Sequence, residues 1–232
     1  MPASGHAERV ILFVHGGAFV EGRRGDLTIH NPDLLRQVER DIAVMTIDYR
    51  LEPFPAAVFD LDAAVRFVRS DAAADLGLDA RQVVVAGHSA GGTIAAVFAL
   101  GADAGAEFAS LERVDGWIGI GTPVDLGDHA PAGSSLRRNW QAGDNPLASP
   151  VNLVSAGDPR GLVVHGDSDP VIDVWHALRF ADVAAAVSPA LAQLEIVSSG
   201  ASNCRGHTPM CGASPSGLDS FLDSLPQQSS LS

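Results

Sequence analysis

Lysine is absent from this 232-residue chain, and all 15 of its basic residues are arginines. Without lysine, the chain cannot use a Schiff base, a Ser-Lys dyad or the phosphate-binding lysine of a P-loop. Acidic residues outnumber the arginines and give a formal net charge of −13. We therefore expect neither nucleic acid nor an anionic membrane surface as a partner.

Cysteine is also scarce, because the chain contains only Cys204 and Cys211. Two cysteines are too few for a disulfide-scaffolded fold. Because they flank His207, three alternatives remain: free thiols, a disulfide across this loop, and a metal site formed by both cysteines and His207. Free thiols are the default in a reducing cytoplasm. A metal here would have only three ligands, so we expect no metal and no cofactor.

Long apolar runs are missing as well. No run is long enough to cross a bilayer, and residues 1–8 lack the basic and apolar regions of a signal peptide. We therefore expect a cytoplasmic protein.

The most informative stretch that is present is VVVAGHSAGG, at residues 83–92. Its β-branched start predicts a buried strand, and the small and apolar residues that follow it are typical of a helix. Between them lies a G-x-S-x-G motif centred on Ser89. A serine at a sharp strand-to-helix turn is typical of a catalytic nucleophile, because the strained turn lifts its hydroxyl clear of the sheet. We therefore predict Ser89 as a nucleophile.

The rest of the chain alternates strand and helix patterns, which predicts an α/β fold with a mostly parallel sheet covered on both faces. We expect one domain over residues 1–232, with a frayed tail at 226–232. Residues 122–160 are irregular, with a helical turn near 135–140. The predicted strands are 9–14, 42–48, 83–85, 117–120, 161–165 and 191–197, and the later helices are 92–100, 171–186 and one near 218–225.

A serine nucleophile needs an adjacent base, and His207 is the preferred candidate. It follows the last predicted strand and precedes the last helix, where this chemistry places its histidine. His88, beside the serine, is expected to point elsewhere on the turn. His15 and His165 end strands, and we expect them to order the loops that follow. The remaining histidines have no motif.

The acid should follow another strand and precede the histidine in sequence. Asp169, after strand 161–165, is preferred over Asp167 and Asp173 in the same turn. Its role would be to orient the imidazole and stabilise the imidazolium. Because functional groups in parallel sheets meet at the carboxyl ends of the strands, residues this far apart in sequence can converge.

A tetrahedral intermediate also needs preorganised donors for its oxyanion. The Ala90 amide directly follows the serine and is one candidate. Gly16 and Gly17 are the others, because a glycine turn lets backbone amides approach a substrate closely.

These parts together resemble the α/β-hydrolase superfamily. More narrowly, they resemble the branch with hormone-sensitive-lipase-type esterases and related feruloyl-esterase and arylformamidase-like proteins. The resemblance covers about residues 9–225 and implies a Ser89–Asp169–His207 triad and an oxyanion hole of the Gly16, Gly17 and Ala90 amides. The chain departs from the hormone-sensitive-lipase-type pattern in lacking its helical cap, so we expect a minimal cap. The matching motifs are HGGAF at 15–19, DYRL at 48–51 with Pro53 and 55–56, GHSAGG at 87–92, SPV at 149–151 and HGDSD at 165–169.

The predicted function is a serine carboxylesterase for small, short-acyl esters. We expect loop 21–28 and segment 122–160 to roof the site, with Phe19 and Trp140 as apolar walls. Two alternatives stay open: an amide or formamide hydrolase that uses the same residues, and a non-catalytic binding protein with the same fold. The sequence does not indicate an oligomeric state.

Overall fold

Six parallel strands form the sheet of the computed structural model, which describes residues 1–198, 206–210 and 216–226. The strands are β1 Ala7–Val14, β2 Ile42–Ile47, β3 Leu78–His88, β4 Gly116–Ile120, β5 Arg160–Gly166 and β6 Ala192–Val197. They pair in the order β2-β1-β3-β4-β5-β6, and every pair is parallel. The predicted α/β fold with a mostly parallel sheet is confirmed.

Helices connect these strands and cover the sheet. The α-helices are α1 Leu27–His30, α2 Ala56–Val68, α3 Asp71–Ala74, α4 Ala90–Gly101, α5 Gly133–Asn139, α6 Trp175–Val187 and α7 Ser216–Ser224. The described residues also form 3-10 helices at Arg24–Asp26, Pro32–Arg40, Pro146–Ala148 and Pro150–Asn152. Segment 122–160 thus contains the predicted helical turn, as α5, between irregular stretches.

Two apolar clusters show that both faces of the sheet are buried. In β1, Val10 and Leu12 belong to one cluster and Ile11 and Phe13 to the other, as the two-residue period of a strand requires. The first cluster includes apolar residues of α2, α4 and α6, and the second includes those of α7. Strands covered on both faces explain why the sequence shows continuous apolar runs instead of alternation.

One helix begins later than its pattern predicts. The pattern starts at residue 171, whereas α6 starts at Trp175. The Oδ1 atom of Asp173 accepts the Trp175 N–H at 2.8 Å, and Asp169 accepts the amides of Val171 and Ile172. These side-chain bonds replace helical ones and hold the segment in turns.

Some predictions fall outside the described residues. These are the three alternatives for Cys204 and Cys211, and residues 227–232 of the predicted tail. In the part of the chain that is described, no helix is long and apolar enough to cross a membrane.

The carboxyl edge of the sheet collects the residues singled out in the sequence. His15 directly follows β1, Ser89 follows β3 and Asp169 lies just beyond β5. His207 comes after β6. Since all strands run in the same direction, these positions lie at one edge of the sheet, where a site can form.

Candidate active site

Ser89 occupies the sharp turn between β3 and α4. Its backbone has φ of 53° and ψ of −124°, a left-handed conformation that is strained for a residue with a side chain. Its N–H donates to the Ile120 carbonyl oxygen at 2.8 Å. A Cβ atom on Gly87 would collide with the Gly91 carbonyl, and one on Gly91 with the carbonyls of Val14 and His15. The motif therefore has glycine where the turn leaves no space, and the predicted strand-turn-helix geometry is confirmed.

The Asp169 carboxylate is fully buried and lies against His207. His207 Nδ1 is 2.8 Å from Asp169 Oδ2. Oδ1 accepts the N–H groups of Val171 and Ile172 at 2.8 and 2.9 Å, and His165 Nε2 lies 3.4 Å from Oδ2. Burial alone would raise the pKa of Asp169, but these hydrogen bonds outweigh it and hold the pKa well below its ordinary value. Asp169 is therefore an ionised acceptor, and His207 donates to it from Nδ1 and leaves Nε2 free for another proton.

The neighbours of this pair explain why Asp169 is the partner of His207. Asp173, a competing candidate, accepts the amide of Trp175 instead. Gly121 has φ of 54°, and a Cβ atom there would lie 3.3 Å from His207 Nδ1 and 3.4 Å from Asp169 Oδ2. A glycine at this position leaves room for the carboxylate and the imidazole to meet.

Ser89 and His207 both line a cavity of about 490 Å³. No described hydrogen bond uses the amide N–H of Gly17 or of Ala90, the first residue of α4, so both donors are available. The predicted roof from loop 21–28 is confirmed in part, whereas segment 122–160 contributes no described residue to the lining. The lining residues are Gly16, Gly17, Glu21, Gly22, Arg23, Asp26, His30, His88, Ser89, His207 and Thr208.

Phe19 and Trp140 do not line this cavity, contrary to the prediction that they form its walls. Gly17, Ala18 and Phe19 all have positive φ, at 113°, 51° and 67°. The backbone is thus left-handed over these three residues. The Phe19 side chain is buried in the core and does not face the cavity. Its ring stacks on Trp140 with centroids 4.4 Å apart and planes 6° apart. This stacked pair anchors the loop that contains Gly16 and Gly17, which we call the glycine loop, to the core.

Tyr49 supports the same loop from another side. Its hydroxyl donates to the His15 carbonyl oxygen at 3.3 Å, and the two rings stack with centroids 4.3 Å apart. His15 Nδ1 lies 2.7 Å from the Gly16 carbonyl oxygen. His165 Nε2 likewise lies 2.8 Å from the Ile172 carbonyl oxygen. The predicted loop-ordering roles of His15 and His165 are confirmed.

His88 and His30 are site residues that the sequence reasoning missed. His88 does not point away: its Nε2 donates to the His207 carbonyl oxygen at 2.6 Å, and the two rings lie 4.7 Å apart. His30 also stacks on His88, with ring centroids 5.8 Å apart. Adjacency to Ser89 was the only signal for His88, and no motif marks His30. His88 therefore ties the backbone of His207 to the turn of Ser89.

Acid sensitivity is a testable consequence of the burial of His88. Burial, aided by the neighbouring histidines, lowers its pKa from 6.5 to about 3. At a pH between about 3 and 6.5, His88 binds a proton in the unfolded chain but not in the folded chain. The free energy of unfolding therefore falls as the pH is lowered through this range. The loss from this one group is up to about 1.4 kcal/mol per pH unit. Urea unfolding of wild type and His88→Gln at several pH values between 7 and 4 measures it.

The His88→Gln variant should show a shallower pH dependence than the wild type. His6 is exposed, so His6→Gln is the matched control and should keep the wild-type slope. A His88→Gln slope equal to that of the wild type would contradict the assignment.

Comparison with known sequences gives a family match and several relatives. The sequence model of the BD-FAE family matches residues 1–183 of the chain. Esterase LipC of Mycobacterium tuberculosis is 31% identical over 202 residues, covering 77% of this chain and 49% of LipC. Esterase LipI of the same organism is 45% identical over 94 residues, covering 39% of this chain and 28% of LipI. The chain thus spans about half or less of the length of these curated relatives.

Comparison with solved structures shows the fold. Est2 of Thermogutta terrifontis with bound butyrate superposes with a TM-score of 0.68 at 24% identity, covering 85% of this chain and 76% of Est2. A truncated carbohydrate esterase from gut microbiota gives a TM-score of 0.73 at 23% identity, covering 88% of this chain and 80% of that one. At this level of identity the likeness concerns the architecture alone.

Proposed function

Because the chain belongs to the BD-FAE family of α/β-hydrolases, we propose that it is a serine carboxylesterase that cleaves small esters through an acyl-enzyme. One observation carries the proposal: buried Asp169 pairs with His207 at the cavity that also holds the strained Ser89. Relatives named esterases support the same chemistry. A small-molecule ester as substrate and a cytoplasmic location belong to the same proposal.

In the proposed reaction, His207 Nε2 accepts the Ser89 hydroxyl proton as Oγ attacks the ester carbonyl carbon. Asp169 stays ionised and stabilises the imidazolium, as its lowered pKa requires. The amides of Gly16, Gly17 and Ala90 donate hydrogen bonds to the oxyanion. Collapse of the intermediate breaks the bond to the alcohol, which takes the proton from His207. Water, deprotonated by His207, then attacks the acyl carbon. Collapse of this second intermediate breaks the bond to Ser89 Oγ, which takes the proton back from His207, and the acid leaves.

Substitution of the proposed triad tests this function. Ser89→Ala or His207→Ala should lower kcat by about 10⁶, because each removes a member of a unit that acts together. Asp169→Asn should lower kcat by about 10⁴, since an amide no longer selects the required imidazole tautomer. Hydrolysis of 4-nitrophenyl acetate by folded, purified variants is the measurement.

The matched control is Asp173→Asn, which makes the same charge change at a carboxylate that accepts the Trp175 amide. It should retain most of the activity. Near-normal turnover by Ser89→Ala, or a larger loss in Asp173→Asn than in Asp169→Asn, would refute the proposed triad.

Acyl-chain length is a second test, because the described cavity lining contains only glycine, polar and charged residues. A further methylene in the acyl chain meets no aliphatic side chain in this lining and gains less than the roughly 0.8 kcal/mol that full burial gives. The ratio kcat/KM should therefore peak at about two to six acyl carbons and fall beyond them. An ester series of graded length measures this, and a formanilide in the series tests the amidase alternative.

Continued growth of kcat/KM towards long chains, or a jump in rate at a lipid interface, would contradict the short-acyl proposal. Faster cleavage of the formanilide than of every ester would favour the amidase alternative.

A further inference from the structure

Among the described residues that line the cavity beside Ser89, Glu21 is a charged residue without a described partner. Arg23 and Asp26 compensate each other, since Arg23 Nε lies 3.6 Å from Asp26 Oδ1 and the Arg23 N–H donates to Asp26 Oδ2 at 3.0 Å. The Glu21 carboxylate, in contrast, forms no hydrogen bond or ion pair with any residue in 1–198, 206–210 or 216–226. Glu21 is a lining residue that is exposed to solvent, and its negative charge has no described residue to compensate it.

The backbone of Glu21 is held in place by the glycine loop. The N–H groups of Val20 and Glu21 donate to the Gly17 carbonyl oxygen at 3.0 and 3.1 Å. The same loop is anchored by the buried stack of Phe19 on Trp140. The Glu21 side chain thus starts from a fixed point one turn away from Gly17, a proposed oxyanion donor.

Glu21 and Ser89 line the same cavity of about 490 Å³. Charges that share one cavity act on each other within the screening length, which is about 8 Å at physiological ionic strength. Buried Asp169 and the formal net charge of −13 add potential of the same sign. A positive group on a substrate here would be attracted, and a negative group repelled.

We infer that Glu21 makes the site selective for esters that carry a positive charge near the ester bond, such as esters of amino or quaternary ammonium alcohols. The inference rests on the proposed esterase function and names a substrate class for that site. Esters that carry a second, ionised carboxylate should be the poorest substrates, because Glu21 repels them. The charge of Glu21 acts on encounter and binding. The chemistry at Ser89 is the same for positively charged, neutral and negatively charged esters.

An isosteric pair of esters isolates the charge. Acetylcholine and 3,3-dimethylbutyl acetate differ only by a quaternary nitrogen in place of a quaternary carbon. The measured quantity is the ratio of their kcat/KM values, in which any general loss of activity cancels. Glu21→Gln should lower this ratio by about three- to tenfold at low ionic strength, and the wild-type ratio should fall as the salt concentration rises to about 1 M.

The matched control is Glu107→Gln, because Glu107 is exposed, outside the cavity lining, and likewise without a described partner. It should keep the wild-type ratio. The inference is overturned if Glu21→Gln leaves the ratio of the two kcat/KM values unchanged, or if Glu107→Gln lowers it equally. Turnover of the neutral ester in that case still supports the esterase function. Failure of the wild type to cleave these esters and 4-nitrophenyl acetate overturns the esterase function and the inference with it, whereas cleavage of 4-nitrophenyl acetate alone overturns only the inference.

Discussion

The hydrogen bonds of the Asp169 carboxylate are the interaction on which the candidate site depends. The side chain is fully buried, and an ionised carboxylate without partners there would cost several kcal/mol. Two amides of its own turn satisfy one oxygen, and His207 contacts the other. Because Asp169 follows β5 and His207 follows the neighbouring strand β6, the pairing of these strands brings the two groups together. The same contact orients the imidazole towards the cavity.

Backbone strain on two facing segments is the second constraint. Ser89 is left-handed, and so are Gly17, Ala18 and Phe19. The segments are in contact, since a Cβ atom on Gly16 would lie 3.1 Å from the Ser89 Cβ atom. Such conformations cost about 1–3 kcal/mol each for residues with side chains. Burial of Phe19 against Trp140 offsets part of this cost, so core packing maintains the shape of the loop beside Ser89.

The parts of the site that follow from local pattern and strand order could be predicted from the sequence. The turn at Ser89 is marked by a short motif, and the meeting of Asp169 with His207 follows from parallel strands. The placement of Phe19 could not be predicted, because its positive φ leaves no trace in the residue types. His30 lines the cavity and stacks on His88 across 58 positions of sequence, and no local signal encodes such a contact.

Covalent labelling with a fluorophosphonate tests the central claim, that this geometry activates Ser89, most directly. Such a probe reacts with a serine only when a base removes its proton as the oxygen attacks. The account predicts one label per folded chain, located on Ser89 by peptide mass spectrometry, and lost in His207→Ala and on unfolding. A folded wild-type chain that takes up no label, or carries it on another residue, would contradict the account.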